Sequence, residues 1–209
     1  MKVIVFGATG SIGKLAVIRM LQQGHQVSAF SRNPEKLGID DASLTLLSGD
    51  ASDPRAVSDA VAGHDAVVIT IGAGMSRSSK IRSESTLNVI RAMQATGVRR
   101  LICQSTLGAN DSRGNLNFYW KRIMFGLLLR PVYLDHELQE QLVQASGLDW
   151  TIVRPSAFTD KPATGTFKEA FSGSERTLKL TIPRADIANF IARQLADATY
   201  MKRAVGISH

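Results

Sequence analysis

Short apolar runs rich in β-prone residues alternate along the chain with longer stretches in which apolar side chains recur at helical spacing. Residues 2–6, 26–31, 44–48, 66–71, 100–105 and 150–154 read as buried strands. Residues 11–23, 54–62, 82–96, 135–146 and 184–196 read as helices, and Gly24, Gly63, Gly97 and Gly147 stand where helices stop. The order βαβαβ predicts an α/β protein with a doubly wound parallel sheet covered on both faces, that is, a Rossmann fold. In such a sheet the ligand crevice lies at the carboxyl ends of the strands, near the change in winding direction. Functional residues are therefore expected just after strands.

Two stretches depart from this alternation. Residues 110–134 contain Phe118, Tyr119, Trp120 and Phe125, with Lys121, Arg122 and Arg130 around an apolar centre. Residues 161–175 are rich in Thr, Ser and Gly. Both follow late strands, so both are expected to overhang the crevice as substrate-covering segments.

The chain of 209 residues is long enough for one domain with a full core and too short for an obvious second, so residues 1–209 are read as a single domain. A hydrophobic share of 44% and a charged share of 21% exclude disordered and fibrous classes. The excess of 25 cationic over 18 acidic residues favours anionic partners. Because those cations are scattered, without a dense basic stripe interleaved with aromatics, a phosphate-bearing cofactor and an acidic small molecule are expected rather than nucleic acid. Cys103 is the only cysteine, which precludes an intramolecular disulfide and suits a reducing compartment. The first strand starts almost at the N-terminus with no export signal before it, and the longest later apolar run, 123–129, is too short to span a bilayer. A cytoplasmic protein without a transmembrane segment is expected. His25, His64 and His209 have no metal-ligand spacing, and no metal is expected.

The first strand leads into Gly7-Ala8-Thr9-Gly10-Ser11-Ile12-Gly13 and then a helix. Glycines in this setting permit a tight turn, let backbone N–H groups approach a pyrophosphate, and allow the helix to pack on the strand with its positive end toward the anion. The spacing GxxGxxG differs from GxGxxG, but strand, turn and helix are in register. The second strand ends without the Asp or Glu that binds the adenosine ribose of NAD. It carries Ser31 and Arg32 instead, and a guanidinium there can hold a 2′-phosphate in bidentate fashion, which favours NADP(H) over NAD(H). An ordinary solvated arginine is the alternative. Asp50, with Ala51 after it, follows the third strand and suits either an adenine contact or a turn cap. Ile71, Gly72 and Ala73 close the fourth strand with small residues that admit a cofactor, or form a plain turn.

On these residues the chain resembles the atypical short-chain dehydrogenase/reductases, within them the biliverdin-IXβ reductase/flavin reductase group and its NmrA-like relatives. The matching segments are Phe6-Gly7-Ala8-Thr9-Gly10, Gly49-Asp50, Gly63-His64-Asp65-Ala66-Val67, Gly97-Val98, Cys103-Gln104-Ser105, and Ser146-Gly147-Leu148 followed by Arg154-Pro155. The resemblance implies that Ser105 lies beside the nicotinamide, with a helix or turn cap as the other reading. It also implies that the backbone of Arg154-Pro155-Ser156 borders the nicotinamide amide. His136 is similar in position to a family histidine that would donate a proton or contact substrate, although Asp135-His136-Glu137 also reads as a helix opening with a solvated or capping histidine. The Tyr-x-x-x-Lys pair of many short-chain dehydrogenases is missing. Tyr119 precedes Lys121 by two positions, and Tyr133 precedes Glu137 by four. Reduction of a planar conjugated acceptor such as a flavin or linear tetrapyrrole, where a proton from solvent suffices, fits this better than alcohol–ketone chemistry. A non-catalytic NAD(P)-sensing regulator of the NmrA-like kind is the alternative. A monomer or homodimer is expected.

Overall fold

A computed structural model of the chain describes residues 1–72 and 80–209. The strands are β1 (Lys2–Phe6), β2 (Gln26–Ser31), β3 (Leu44–Ser48), β4 (Ala66–Ile69), β5 (Arg100–Gln104), β6 (Asp149–Pro155), β7 (Ala157–Thr159), β8 (Lys168–Glu169), β9 (Thr181–Pro183) and β10 (Arg203–Ser208). The α-helices are α1 (Gly13–Gln22), α2 (Pro54–Val61), α3 (Ile81–Thr96), α4 (Arg130–Ala145) and α5 (Arg184–Arg193). The main sheet has the order β3-β2-β1-β4-β5-β6-β10-β8. Because β1 pairs in parallel with both β2 and β4, the winding direction changes between β1 and β4.

Both faces of the central strands are buried, and the two-residue period of a strand divides their side chains between the two layers. In β1, Val3 and Val5 join a cluster with Ala16, Val17 and Met20 of α1 and Ile187 and Phe190 of α5. Ile4 and Phe6 join the opposite cluster, with Val57 and Val61 of α2, Val89 and Met93 of α3 and Val143 of α4. β4 repeats the division, sending Val68 to the first layer and Val67 and Ile69 to the second. Such double burial is why these strands read as nearly continuous apolar runs.

The structure alters the expected pattern in several places, among them a separate two-stranded sheet of β7 and β9, and α1 and α5 that are shorter than the expected 11–23 and 184–196. β8 lies antiparallel to β10 at one edge, so the sheet is mixed rather than wholly parallel. β10, paired in parallel with β6, lies in a short C-terminal run interrupted by Gly206, where apolar periodicity is weak. β4 ends at Ile69 rather than residue 71. α4 starts at Arg130 rather than residue 135, with Pro131 in its first turn, where a missing N–H breaks no helical bond.

Residues 110–134 are also more ordered than a loop. They form a 3₁₀ turn at Asn110–Asn115, a π-helical segment at Tyr119–Leu128 and the start of α4. The i, i+5 repeat of a π-helix puts Trp120 and Phe125 together, with ring centroids 5.5 Å apart, and Phe125 lies 5.2 Å from Tyr133. Leu107, Leu116, Phe125, Tyr133 and Leu180 form a third, smaller core, with Phe171 and Leu178 packed on it. No helix among the described residues is long and apolar enough to cross a membrane.

Candidate functional site

The turn after β1 is built by backbone contacts that leave no room for side chains. Gly7 has φ +82°, and a Cβ there would lie 2.8 Å from the carbonyl carbon of Thr70. A Cβ on Gly13 would lie 2.2 Å from the Gly7 carbonyl oxygen. The Gly10 N–H donates to that same oxygen at 2.9 Å. The Thr70 hydroxyl donates to the carbonyls of Phe6 at 3.1 Å and Gly7 at 3.3 Å, pinning the turn to the end of β4. α1 begins directly behind this turn with no acidic residue in its first turn, so the positive end of the helix faces outward without a local anion to neutralise it.

A cleft of about 690 Å³ opens in front of this turn. It gathers Gly7, Thr9, Gly10, Ser11, Ser31, Arg32, Asp50, Ala51, Ile71 and Gly72 from four separate strand ends. Ile12 and Gly13 are buried behind it as part of the packing of α1, and Ala73 lies outside the described residues. Ser11 is also held from the far side, since Arg184 Nε donates to its hydroxyl at 3.2 Å. The Asp50 carboxylate accepts from the backbone N–H and hydroxyl of Ser52 at 2.9 and 2.8 Å. Those bonds, with the charge of Arg32 adding to them, hold its carboxyl below the usual range. Asp50 thus caps its own turn while lining the cleft. A second cavity, of about 590 Å³, sits at the amino ends of the strands around Met1, Asp65, Arg100 and Asp149, away from the glycine turn.

Lys36 and Phe30 line the cleft without having been singled out by the sequence. Lys36 is carried there by the 3₁₀ turn Pro34–Leu37, and the Asn33-Pro34 pair that starts the turn was the available signal. Phe30 packs against Phe6, with centroids 4.8 Å apart, and fills the space a side chain at Gly49 would need. No short-range pattern announces that contact.

Toward β5 and β6 the carboxyl edge is made of buried side chains. Ser105 follows β5, and its backbone N–H donates to Val153 at 2.7 Å. Its hydroxyl is buried and has no hydrogen-bond partner among the described residues, and the same holds for the hydroxyls of Ser156 and Ser31. A buried polar group left unpaired costs about 1–3 kcal/mol. All three orphans lie at strand ends on one edge of the sheet. That edge and the Cβ-free cradle at Gly7 and Gly13 together fit an extended dinucleotide, with its pyrophosphate at the glycine turn.

Arg154 is only 2% exposed. Its Nε and Nη2 donate to the two carboxylate oxygens of Glu140 at 2.9 and 2.7 Å, and Nη2 is 2.8 Å from Asp111 Oδ1. Burial opposes the guanidinium charge, but the bonds and charges of Glu140 and Asp111 outweigh it and raise its pKa. With the guanidinium so engaged, a ligand contact from this position would come from the backbone. Pro155 is buried, and its carbonyl accepts from the Leu107 N–H at 2.8 Å. Asn110 extends the network, donating its Nδ2 to Glu140 Oε2 at 2.7 Å. Glu140, Asp111 and Asn110 carry no local sequence signal, because their partners are distant in the chain.

His136 corrects the expectation of a solvated or capping residue. α4 starts six positions earlier, and His136 is 8% exposed at its contact with α3. Its Nδ1 is 3.3 Å from Gln139 Oε1, and Gln139 in turn donates to Thr86 Oγ1 at 3.0 Å. Burial, aided by the Arg82 charge, pushes its pKa down to about 3, so the ring is neutral and poorly suited to donate a proton. The capping role belongs to its neighbour. Asp135 accepts from the N–H groups of Arg82 and Ser83 at 3.2 and 3.1 Å, closing the N-terminus of α3 from another helix. The Tyr133 hydroxyl donates to Glu137 at 2.7 Å; burial and then Glu137 push its pKa up to about 12.

Ser105, His136, Arg154, Pro155 and Ser156 do not line the cleft at the glycine turn, so the expected site falls into two parts.

Comparison with known proteins gives the same fold. A Bacillus subtilis protein named as an uncharacterized sugar epimerase, YhfK, is 27% identical, covering 100% of this chain and 94% of that one. The wide-type short-chain dehydrogenase/reductase of Veillonella parvula, solved in complex with NADP, superposes with a TM-score of 0.82 at 18% identity, covering 100% of this chain and 94% of that chain. ChuY of Escherichia coli O157:H7, described as an anaerobillin reductase, superposes with a TM-score of 0.80 at 24% identity, over 99% and 96% of the two chains. A family model described as NAD(P)H-binding matches residues 7–198, from the first glycine of the turn to beyond α5, and the chain belongs to that NAD(P)H-binding family.

Proposed function

We propose that the protein is an NADPH-dependent reductase acting on a planar, anionic, conjugated acceptor such as a flavin or linear tetrapyrrole. The observation that carries this reading is the state of its candidate proton donors. Tyr133 is tied to Glu137 with its pKa pushed up to about 12, and His136 is neutral inside the α3–α4 contact. A carbonyl substrate needs an acid poised at its oxygen, whereas a conjugated acceptor delocalises the added charge and takes its proton from water. A bound nicotinamide dinucleotide supplies the hydride. Gly7, Gly10 and the start of α1 receive its pyrophosphate; Arg32 and Lys36 receive a 2′-phosphate; Ser31, Ser105 and Ser156 offer hydroxyls along its length. The likeness in fold to a protein named for anaerobillin reduction is in keeping with this acceptor class.

Residues 110–134 and 161–175 cover the substrate end in this reading, and the protein works in the cytoplasm as a monomer or homodimer. Oxidation of NADPH followed at its absorbance band, with FMN, FAD and biliverdin as acceptors, tests the proposal. Turnover with at least one acceptor is expected. Arg32→Asp should lower NADPH affinity at least tenfold and leave NADH unaffected, the size of one charge-assisted contact, about 1.5–3 kcal/mol. The same missing proton relay also favours a second reading, a nicotinamide-sensing regulator. Equal affinity for NADP⁺ and NADPH, with no turnover of any acceptor, would select it.

A further inference from the structure

The outer face of the π-helical segment and the start of α4 is exposed and has no packing partner among the described residues outside that segment. Phe118 and Leu127 are each 73% exposed, Tyr119 51%, and Ile123, Leu128 and Leu134 lie between 40% and 50%. A cluster of large apolar side chains of this kind on a water-facing surface marks an interaction site. Its inner face is satisfied by the small core around Phe125 and Tyr133, so the outer residues are not waiting for an internal neighbour.

The charges on this face select among occupants. From Ser112 to Leu134 the chain carries Arg113, Lys121, Arg122 and Arg130 and no acidic residue. Arg122 and Arg130 are exposed, and neither pairs with a carboxylate among the described residues. A second copy of the chain docked about a two-fold axis would set this cationic patch against itself. An anionic bilayer surface instead accepts apolar and aromatic side chains at the headgroup boundary and attracts the lysines and arginines beside them.

We propose that the face formed by Phe118, Tyr119, Ile123, Leu127 and Leu128, with Arg122 and Arg130, docks reversibly on membranes rich in anionic lipid. The π-helical segment lies in the headgroup plane, and its inner side remains on the protein. This inference is independent of which acceptor the protein reduces.

Co-sedimentation of the full chain with vesicles tests it, using phosphatidylcholine alone and phosphatidylcholine mixed with phosphatidylglycerol. The protein should sediment with the mixed vesicles at least tenfold more strongly than with the neutral ones, and raising the salt toward 1 M should release it. Arg122→Glu combined with Arg130→Glu should abolish the preference for anionic vesicles. Leu127→Asp should lower binding at least tenfold; circular dichroism and NADP⁺ titration, unchanged from the unmodified chain, show that the fold is intact. Failure to sediment with either vesicle overturns the proposal, as does equal binding to both. A stable dimer in solution that Leu127→Asp dissociates also overturns it, in favour of a second copy.

Discussion

Where β1 gives way to α1, the contacts that shape the crevice are between backbone atoms: Gly7 against Thr70, Gly10 against Gly7, Gly13 against Gly7. Where β6 ends, they are between ionised side chains, the buried Arg154 and Glu140 with the exposed Asp111 on the outer side of the guanidinium. The first arrangement is indifferent to pH and intolerant of a single added methyl group. The second tolerates shape changes better than changes of charge, because an ion left alone away from water has nothing to replace its hydration. A site assembled from both should fail in two distinguishable ways.

The largest expected effect is at the charged end. Glu140→Ala leaves Arg154 buried with only Asp111, whose side chain is 84% exposed and screened by solvent. Loss of one partner from such a pair costs about 3–5 kcal/mol. Urea denaturation should show that loss, and Asp111→Asn should cost no more than about 1 kcal/mol. If the two variants were equally destabilised, the buried pair would not be the anchor of the β6 end.

Acid should separate the two ends next. His136 in the unfolded chain binds a proton near pH 6.5, as an ordinary imidazole does, whereas in the folded chain it resists until about 3. Between those values the unfolded state holds more protons, so stability falls as the pH drops, by up to about 1.4 kcal/mol per unit. At the glycine-turn end, the carboxyl of Asp50 is held below the usual carboxylate range by its bonds to Ser52, so its stabilisation is complete above that range and is lost only as the pH falls through it. From pH 6.5 to 4.5 the total loss should approach about 2–3 kcal/mol, and His136→Gln should flatten the slope. An unchanged slope in that variant would place the acid sensitivity elsewhere.

The difference between the two ends also governs what the sequence discloses. The bounds of β1 and β2 are legible because burial makes each a compact apolar run flanked by turn residues, and β3, largely exposed at the sheet edge, is legible from its Leu-Thr-Leu-Leu run just before Gly49. The glycine turn is legible because its spacing is local and its constraint is the absence of side chains. Glu140 and Arg154 meet across α4 and β6, and nothing in the residues around either predicts the other. His136 misleads for a related reason: a histidine between Asp135 and Glu137 reads as polar surface, yet Asp135 faces α3 and caps it. Residues 119–128 stand out in the sequence as an aromatic departure from the alternation, but their helical character does not, because their apolar face follows a period that helical and strand templates do not sample.

A single methyl group at the turn should act more on binding than on the fold. The Cβ of Gly13→Ala would meet the Gly7 carbonyl at 2.2 Å, and backbone on both sides must move apart. Overpacking of this kind costs about 1–3 kcal/mol. The displaced carbonyl belongs to the turn that receives the pyrophosphate, so NADP⁺ affinity should fall at least tenfold, as read by titration calorimetry. Retention of full affinity would show that the turn has slack the contacts do not suggest.

The smallest change in stability is expected from Ser105→Ala, and there the sign carries the information. The Ser105 hydroxyl is buried without a partner among the described residues, so its removal relieves an unmet polar group and should leave the free protein unchanged or up to about 1 kcal/mol more stable. If the hydroxyl is satisfied only by the dinucleotide, the same substitution should reduce the thermal stabilisation given by NADP⁺. Measured together, a gain in the free protein and a loss in the complex would identify the hydroxyl as a group kept unpaired for its ligand. A loss in both states would mean that Ser105 is already bonded within the fold, through water, and that the β5 end contributes shape rather than a ligand contact.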